Sequence, residues 1–233
     1  MTSSAPSFRT TRGMLRTRLA KARLYFVCEG RPNGEDPSQL LHAALRGGVD
    51  IVQLREKGPR SAEDLAELAA PFRRCANEHG ALFILNDRPD LVEACAADGV
   101  HVGQADLPVA QAREQAGPAA LVGLSTHSPH EVAAACAARG DDHPDQISVG
   151  PVWETPTKQG RPATGLGLIE LAAREASVPW FAIGGIDPRN IQRVIAAGAE
   201  RIVVVRAIRD APDPEAAARA LREALQASVP VGR

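Results

Sequence analysis

Short apolar runs alternate with longer, Ala-rich polar stretches along most of the chain. The runs are Leu24–Cys28, Val49–Leu54, Leu82–Leu85, Gly99–Gly103, Leu121–Leu124, Gln146–Val149, Pro179–Ile183 and Arg201–Val205. Most are nearly continuous in Val, Ile, Leu or Phe, the pattern of strands buried on both faces. The stretches between them open on capping signals: Asp36-Pro37-Ser38, Ser61 to Asp64, Arg88-Pro89-Asp90, Pro108, Ser128-Pro129, Asp187-Pro188 and Asp213-Pro214. A short polar side chain satisfies the first free N–H groups of a helix, and proline fits its first turn. Glycines at 47–48, 80, 117 and 198 mark the stops. Strands that alternate with helices build parallel sheets. Eight such units between residues 23 and 233 predict a single-domain α/β fold, a TIM (β/α)8 barrel. A doubly wound open sheet would carry a G-x-G-x-x-G turn after its first strand, and Glu29-Gly30-Arg31-Pro32-Asn33-Gly34 is not one.

Composition narrows the class. With 233 residues and a net charge of -1, the chain lacks the basic excess of a nucleic-acid binder. No apolar run approaches the roughly 20 residues that span a bilayer, so no membrane partner is expected. Cys28, Cys75, Cys95 and Cys136 show no C-x-x-C spacing, which suits buried thiols in a reducing, cytoplasmic compartment. The histidines show no H-E-x-x-H spacing, which argues against a zinc site. Residues 1–22 are rich in Arg, Ser and Thr, with no acid before Glu29. That composition overlaps with organellar transit peptides. The expectation is a loose tail followed by a short helix under a catalytic domain spanning 23–233. Oligomeric state is open.

In a TIM barrel the C-terminal strand ends share one face, and that face carries the chemistry. Gln53, Arg55 and Lys57 alternate at the end of the second run and so share a strand face. Asn86 and Asp87 end the third run, Asp106 follows the fourth, and Ser125 ends the fifth with His127 just beyond. Thr155-Pro156-Thr157-Lys158 follows the sixth, Gly184-Gly185 the seventh, and Val205-Arg206 the eighth. Each has a plain structural reading: Asp87 as a helix cap, Asp106 as a turn residue, Lys158 as a solvated loop lysine, the glycines as a turn. Taken together, two carboxylates opposite several cations favour Mg2+ held on phosphate oxygens. A second anion site is expected near Thr155, Thr157 and Gly185, since loops after strands seven and eight commonly bind phosphate in this fold. No cysteine falls at a strand end on this face, and Ser125 with His127 is a weak triad signal. Catalysis by stabilising a leaving diphosphate is therefore favoured over a covalent enzyme intermediate.

The runs VQLREKG, LFILNDRPDLVEACAADGVHVGQAD, VGLSTHS, VGPVWETPTKQG, WFAIGGI and VVVRAI, in that order, resemble the thiamin phosphate synthase family from about residue 24 to 225. The resemblance implies an enzyme joining hydroxymethylpyrimidine diphosphate to thiazole phosphate with release of diphosphate. It implies Mg2+ as cofactor and a dissociative step. By motif, Gln53, Leu54, Arg55, Glu56, Lys57, Asn86, Ser125 and Lys158 would hold the pyrimidine diphosphate, with Arg55, Ser125 and Lys158 catalytic. Asp87 and Asp106 would bind the metal. Thr155, Pro156, Thr157, Gly185, Val205 and Arg206 would hold the thiazole phosphate. Where the family often ends its last strand in Ser, this chain has Arg206. Residues 160–165 are long for the loop and would serve as a lid. The rival functions are a thiazole tautomerase-like isomerase using His127 and a non-catalytic sensor of phosphorylated ligands.

Overall fold

The computed structural model describes residues 8–56, 58, 60–155 and 162–227. Strands β1 (Leu24–Cys28), β2 (Ile51–Leu54), β3 (Leu82–Asn86), β4 (Gly99–Val102), β5 (Leu121–Thr126), β6 (Gln146–Val149), β7 (Trp180–Ile183) and β8 (Ile202–Val204) pair in chain order, all parallel. β8 returns to β1 with Tyr25 opposite Val203, closing the expected barrel. The helices are α1 (Phe8–Lys21), α2 (Ser38–Arg46), α3 (Ala62–His79), α4 (Val109–Ala116), α5 (Pro129–Ala137), α6 (Gly165–Glu175), α7 (Ile191–Ala196), α8 (Arg206–Arg209) and α9 (Pro214–Ala227). Among the described residues, no helix is long and apolar enough to cross a membrane.

Strand alternation divides the core in two. Phe26, Val52, Phe83, Ile147, Ile202 and Val204 point outward and pack with Leu41, Phe72, Ile169 and Leu221 of the helices. Tyr25, Ile51, Leu82, Leu121, Phe181 and Val203 point inward and fill the lower barrel. Leu15 and Leu19 of α1 join this inner set, so α1 closes the N-terminal mouth. Higher up, the inward positions become polar. All four cysteines are free thiols, and Cys28, Cys75 and Cys95 are buried.

Capping follows the sequence at α3 and α5. Ser61 accepts from the Asp64 N–H at 3.0 Å, and Ser128 from the Glu131 N–H at 3.2 Å. Four expectations need correction. After β3 the Arg88-Pro89-Asp90 signal opens only a single 3-10 turn, Pro89–Leu91. Ala96 takes a left-handed φ of 52°, and β4 starts at Gly99, which leaves no room for a longer helix. After β7, Asp187 forms a local turn by accepting from the Arg189 N–H, and the α-helix begins only at Ile191. The last strand stops at Val204, because Arg206 opens the one-turn helix α8. Helix α6 begins at Gly165, inside the stretch read as a lid. Of that stretch, Gly160 and Arg161 lie outside the described residues. Thr164 is tied to the Pro151 carbonyl by its N–H (2.8 Å) and its hydroxyl (3.0 Å).

The N-terminal mouth is held by one buried carboxylate. Asp145 accepts from Arg16 Nε (2.6 Å), Arg12 Nη2 (3.2 Å), Arg113 Nη1 (3.0 Å) and the Val122 N–H (2.8 Å). Burial alone would raise its pKa, but the Val122 N–H and the three arginines outweigh this and hold it below the ordinary range. Asp145→Ala would strand Arg113, which is only 5% exposed. Losing one member of a buried pair costs about 3–5 kcal/mol, and urea unfolding should show a loss of that size. A loss under about 1 kcal/mol, the size of an exposed pair, would refute the role. In the native protein this stabilisation is complete above the ordinary Asp pKa of 3.8 and is lost as pH falls through the lower folded value.

Candidate active site

At the C-terminal end of the strands the barrel opens into a cavity of about 1010 Å3. Its lining includes Gln53 from β2 and Arg55 just after it, Asn86 from β3 and Asp87 just after it, Asp106 after β4, and Ser125 from β5. Thr155, Gly184, Gly185, Val205 and Arg206 line it as well. Residues spread over more than 150 positions are thus brought to one rim.

The floor on the β4–β6 side is a buried hydrogen-bond network around His101. Gln146 Nε2 faces His101 Nδ1 at 2.9 Å; an amide N–H donating there makes Nδ1 the acceptor and assigns the ring proton to Nε2. That nitrogen lies 3.0 Å from Ser125 Oγ and 3.3 Å from Ser148 Oγ. Ser125 therefore receives an N–H instead of facing a basic lone pair, and its own hydroxyl proton is left to donate. With this tautomer His101 does not serve Ser125 as a general base, which disfavours Ser125 as a nucleophile. Gly123 makes the network possible: a Cβ there would stand 2.1 Å from Gln146 Nε2 and 2.5 Å from His101 Nδ1. Gln104 Nε2 fixes the strand beside it by donating to the Ser125 carbonyl at 2.6 Å.

The carboxylates sit on the neighbouring side. Asp87 is not a helix cap. It holds an uncommon left-handed φ of 59°, a conformation costing about 1–3 kcal/mol that tends to mark functional sites. Partial desolvation at the cavity wall and repulsion from Asp106 raise its pKa from 3.8 to about 6, despite the donated Asn86 amide and the charge of Arg55. Asp106 Oδ2 accepts from the Gly103 N–H at 2.7 Å, so it also shapes its turn. Arg55 makes no ion pair among the described residues.

A family model described as thiamine monophosphate synthase matches residues 24–208. This chain belongs to the thiamine monophosphate synthase family. The thiamine-phosphate synthase of Mycobacterium bovis is 49% identical over 225 residues, covering 92% of this chain and 100% of that protein. Its counterpart in Mycobacterium leprae is 50% identical over 223 residues, covering 92% and 95%. A solved thiamine phosphate pyrophosphorylase from Pyrococcus furiosus matches with a TM-score of 0.79 at 29% identity, covering 92% of this chain and 99% of that one. A 3-hexulose-6-phosphate synthase at 21% identity and a TM-score of 0.62 shares the fold alone. The activity is thiamine-phosphate synthesis, a transferase reaction of thiamine biosynthesis.

Of the residues that the family motifs single out, Gln53, Arg55, Asn86, Asp87, Asp106, Ser125, Thr155, Gly185, Val205 and Arg206 meet at the cavity. Leu54 does not reach it, because strand alternation turns it outward into the helix layer. Glu56 is also turned away: Oε1 accepts from the Gly30 N–H at 2.6 Å and Oε2 pairs with Arg60 at 3.0 Å. It braces the loops after β1 and β2. Lys57, Pro156, Thr157 and Lys158 lie outside the described residues. Sequence reasoning passed over His101, Gln146 and Ser148. A histidine at an inward position of the otherwise apolar Gly99–Val102 run was the available signal. His127 lines the cavity too, with Nδ1 2.5 Å from the Gly150 carbonyl.

The raised pKa of Asp87 has a sign that can be checked. An unfolded Asp loses its proton near 3.8 and the folded one near 6, so stability falls as pH rises through that interval. In metal-free protein, Asp87→Asn should therefore raise the Tm at pH 7–8 relative to wild type and leave it nearly unchanged at pH 4. Thermal melts at both pH values check this, and an equal shift at both would contradict the repulsion.

Proposed function

We propose that the chain couples hydroxymethylpyrimidine diphosphate to thiazole phosphate, releasing diphosphate by a dissociative, Mg2+-assisted route. The observation that carries this reading is the convergence of Arg55, Asn86, Asp87, Asp106 and Ser125 from four successive strands on one cavity. Such a cluster suits a highly charged leaving group better than it suits a neutral reactant.

The donor set fits a hard cation. Asp87 and Asp106 offer carboxylate oxygens, and their mutual repulsion is relieved by a positive charge between them. Among the described residues no third His, Cys, Asp or Glu joins them. Remaining ligands would be water and diphosphate oxygens, the usual arrangement for Mg2+. Bound there, the ion would supply positive charge to the departing diphosphate.

This chain's own residues supply the rest. Arg55 grips diphosphate oxygens through its planar fork, and the family motif adds Lys57 and Lys158 as point charges. Ser125, already accepting from His101, donates its hydroxyl proton to a diphosphate oxygen as a hydrogen bond. Gln53 Nε2 is buried without a hydrogen-bond partner among the described residues, which leaves it to orient the pyrimidine ring. The C–O bond breaks with its electron pair passing to diphosphate, and the pyrimidine ring stabilises the cation left behind. The thiazole nitrogen then donates its lone pair to form the new C–N bond. Apolar walls at Val27, Ile183 and Val203 keep competing water from the cation. Thr155, Gly185 and the Val205-Arg206 segment face the thiazole phosphate on the opposite side, together with Pro156 and Thr157 from the motif.

The test is a coupling assay with both substrates and Mg2+, following thiamin phosphate and diphosphate together. Equal yields of the two products are expected. Product without diphosphate would point to an isomerase acting through His127, and ligand binding without turnover to a sensor. Asp87→Ala and Lys158→Ala should each lower kcat by about 10²–10³-fold, as loss of a transition-state contact does. Thr157→Ala should mainly raise KM, and higher Mg2+ should partly restore Asp106→Ala. Effects confined to KM in all four variants would count against these roles.

A further inference from the structure

Asp106 sits on a turn that closes on itself. Strand β4 ends at Val102, opposite Leu124, and the chain then leaves the sheet. Gly103 gives its N–H to Asp106 Oδ2 at 2.7 Å, and the Asp106 N–H returns to the Gly103 carbonyl at 3.2 Å. A Cβ at residue 103 would lie 2.9 Å from that carboxylate oxygen, so the turn closes this tightly only on glycine. Gln104, Ala105 and Asp106 are all exposed. Exposed segments with few buried contacts open at little cost in free energy. A carboxylate carried on such a turn needs an attachment to the barrel to keep a fixed place.

Two attachments are present. After the turn, Leu107 packs against the apolar cluster of Val100, Val102, Val109 and Val122. Within the turn, Gln104 Nε2 donates to the Ser125 carbonyl at 2.6 Å. Ser125 lies one residue beyond the last β4–β5 pair, so this amide adds a side-chain rung where the backbone pairing stops. Asp87, the other carboxylate, is held by the main chain instead: its N–H donates to the His101 carbonyl at 3.0 Å. The plain reading of Gln104 is an exposed glutamine finishing a strand end. Its placement says more. It lies between Gly103 and Asp106, which close the turn, and it grips the residue whose hydroxyl faces the same cavity.

We propose that Gln104 is a positioning residue: by tying the Asp106 turn to Ser125, it holds Asp106 at the distance from Asp87 that a divalent cation needs. The inference rests on the reading of Asp87 and Asp106 as the cation site. A turn that is competent only part of the time binds with a dissociation constant raised by the inverse of that fraction. Groups that hold ligating carboxylates in place are commonly worth about 10- to 100-fold in metal affinity. Once the cation is bound, it orders the turn itself, so the amide acts on affinity and leaves the saturated rate alone.

Mn2+ titration of substrate-free protein tests it, with the free ion followed by electron paramagnetic resonance. Mn2+ takes the same oxygen ligands as Mg2+. Gln104→Met keeps the side-chain length without the donor, and Gln104→Asn keeps the amide but is one methylene short. Each should raise the Mn2+ Kd by about 10-fold. The kcat at saturating Mg2+ and the KM for thiazole phosphate should stay within about twofold of wild type. An amide that merely finished a strand would lower the Tm and leave the Mn2+ Kd of the folded protein unchanged. Either glutamine variant with a wild-type Kd would therefore overturn the proposal, as would a loss of kcat that saturating Mg2+ does not restore. Wild-type protein that binds no Mn2+, or binds it equally well after Asp87→Asn, would sink the cation reading and this inference with it. Wild type that binds Mn2+ through Asp87, alongside a glutamine variant of unchanged affinity, would sink this inference alone.

Discussion

Closure of the sheet by β1 against β8 is the constraint on which everything else depends. Once eight parallel strands form a ring, all their C-terminal ends lie at one rim and all their N-terminal ends at the other. Period-two alternation then decides which side chains face inward. Low in the ring these are Tyr25, Ile51, Leu82, Leu121, Phe181 and Val203, sealed from below by Leu15 and Leu19. High in the ring they are Gln53, Asn86, His101, Ser125 and Ser148. The apolar lower layer is a rigid base, and the polar upper layer is held in place by it.

That division explains how buried polarity is tolerated. Beneath the barrel, Asp145 gathers Arg12, Arg16 and Arg113, so a carboxylate with no solvent exposure is fully engaged. Within the barrel, His101 is engaged by Gln146, Ser125 and Ser148. At the rim the rule is relaxed. Asp87 is repelled by Asp106 and held in a left-handed backbone, and Arg55 and Arg206 stand without carboxylate partners among the described residues. Unfavourable local terms of this kind persist where the surrounding fold over-determines them, and they concentrate where a ligand relieves them.

Much of this was legible in the order of residues. The eight strands read clearly because both faces of each are buried, so their apolar runs are nearly unbroken. Arg55, Asp87, Asp106 and Ser125 could be assigned to one site because the fold class itself places strand ends together. The helix expected after β3 was not legible: its capping signal is real, but the twelve residues between Asn86 and Gly99 admit only a 3-10 turn. Helix α8 was hidden for a related reason, since the Val-rich run simply continues into it.

The layering, the chain order of the strands and the chemical types available at each strand end are all written in the order of residues. These follow from local pattern, which acts over a few neighbouring residues. Which of those groups meet and which turn away is set by the folded ring. It sends Leu54 into the helix layer and Glu56 onto Gly30 while Gln53 and Arg55 enter the cavity. It makes the histidine at 101 a keystone by setting it against residues 24 to 47 positions away. Contacts between distant segments depend on the closed ring's register and curvature, and no local stretch of chain carries that information.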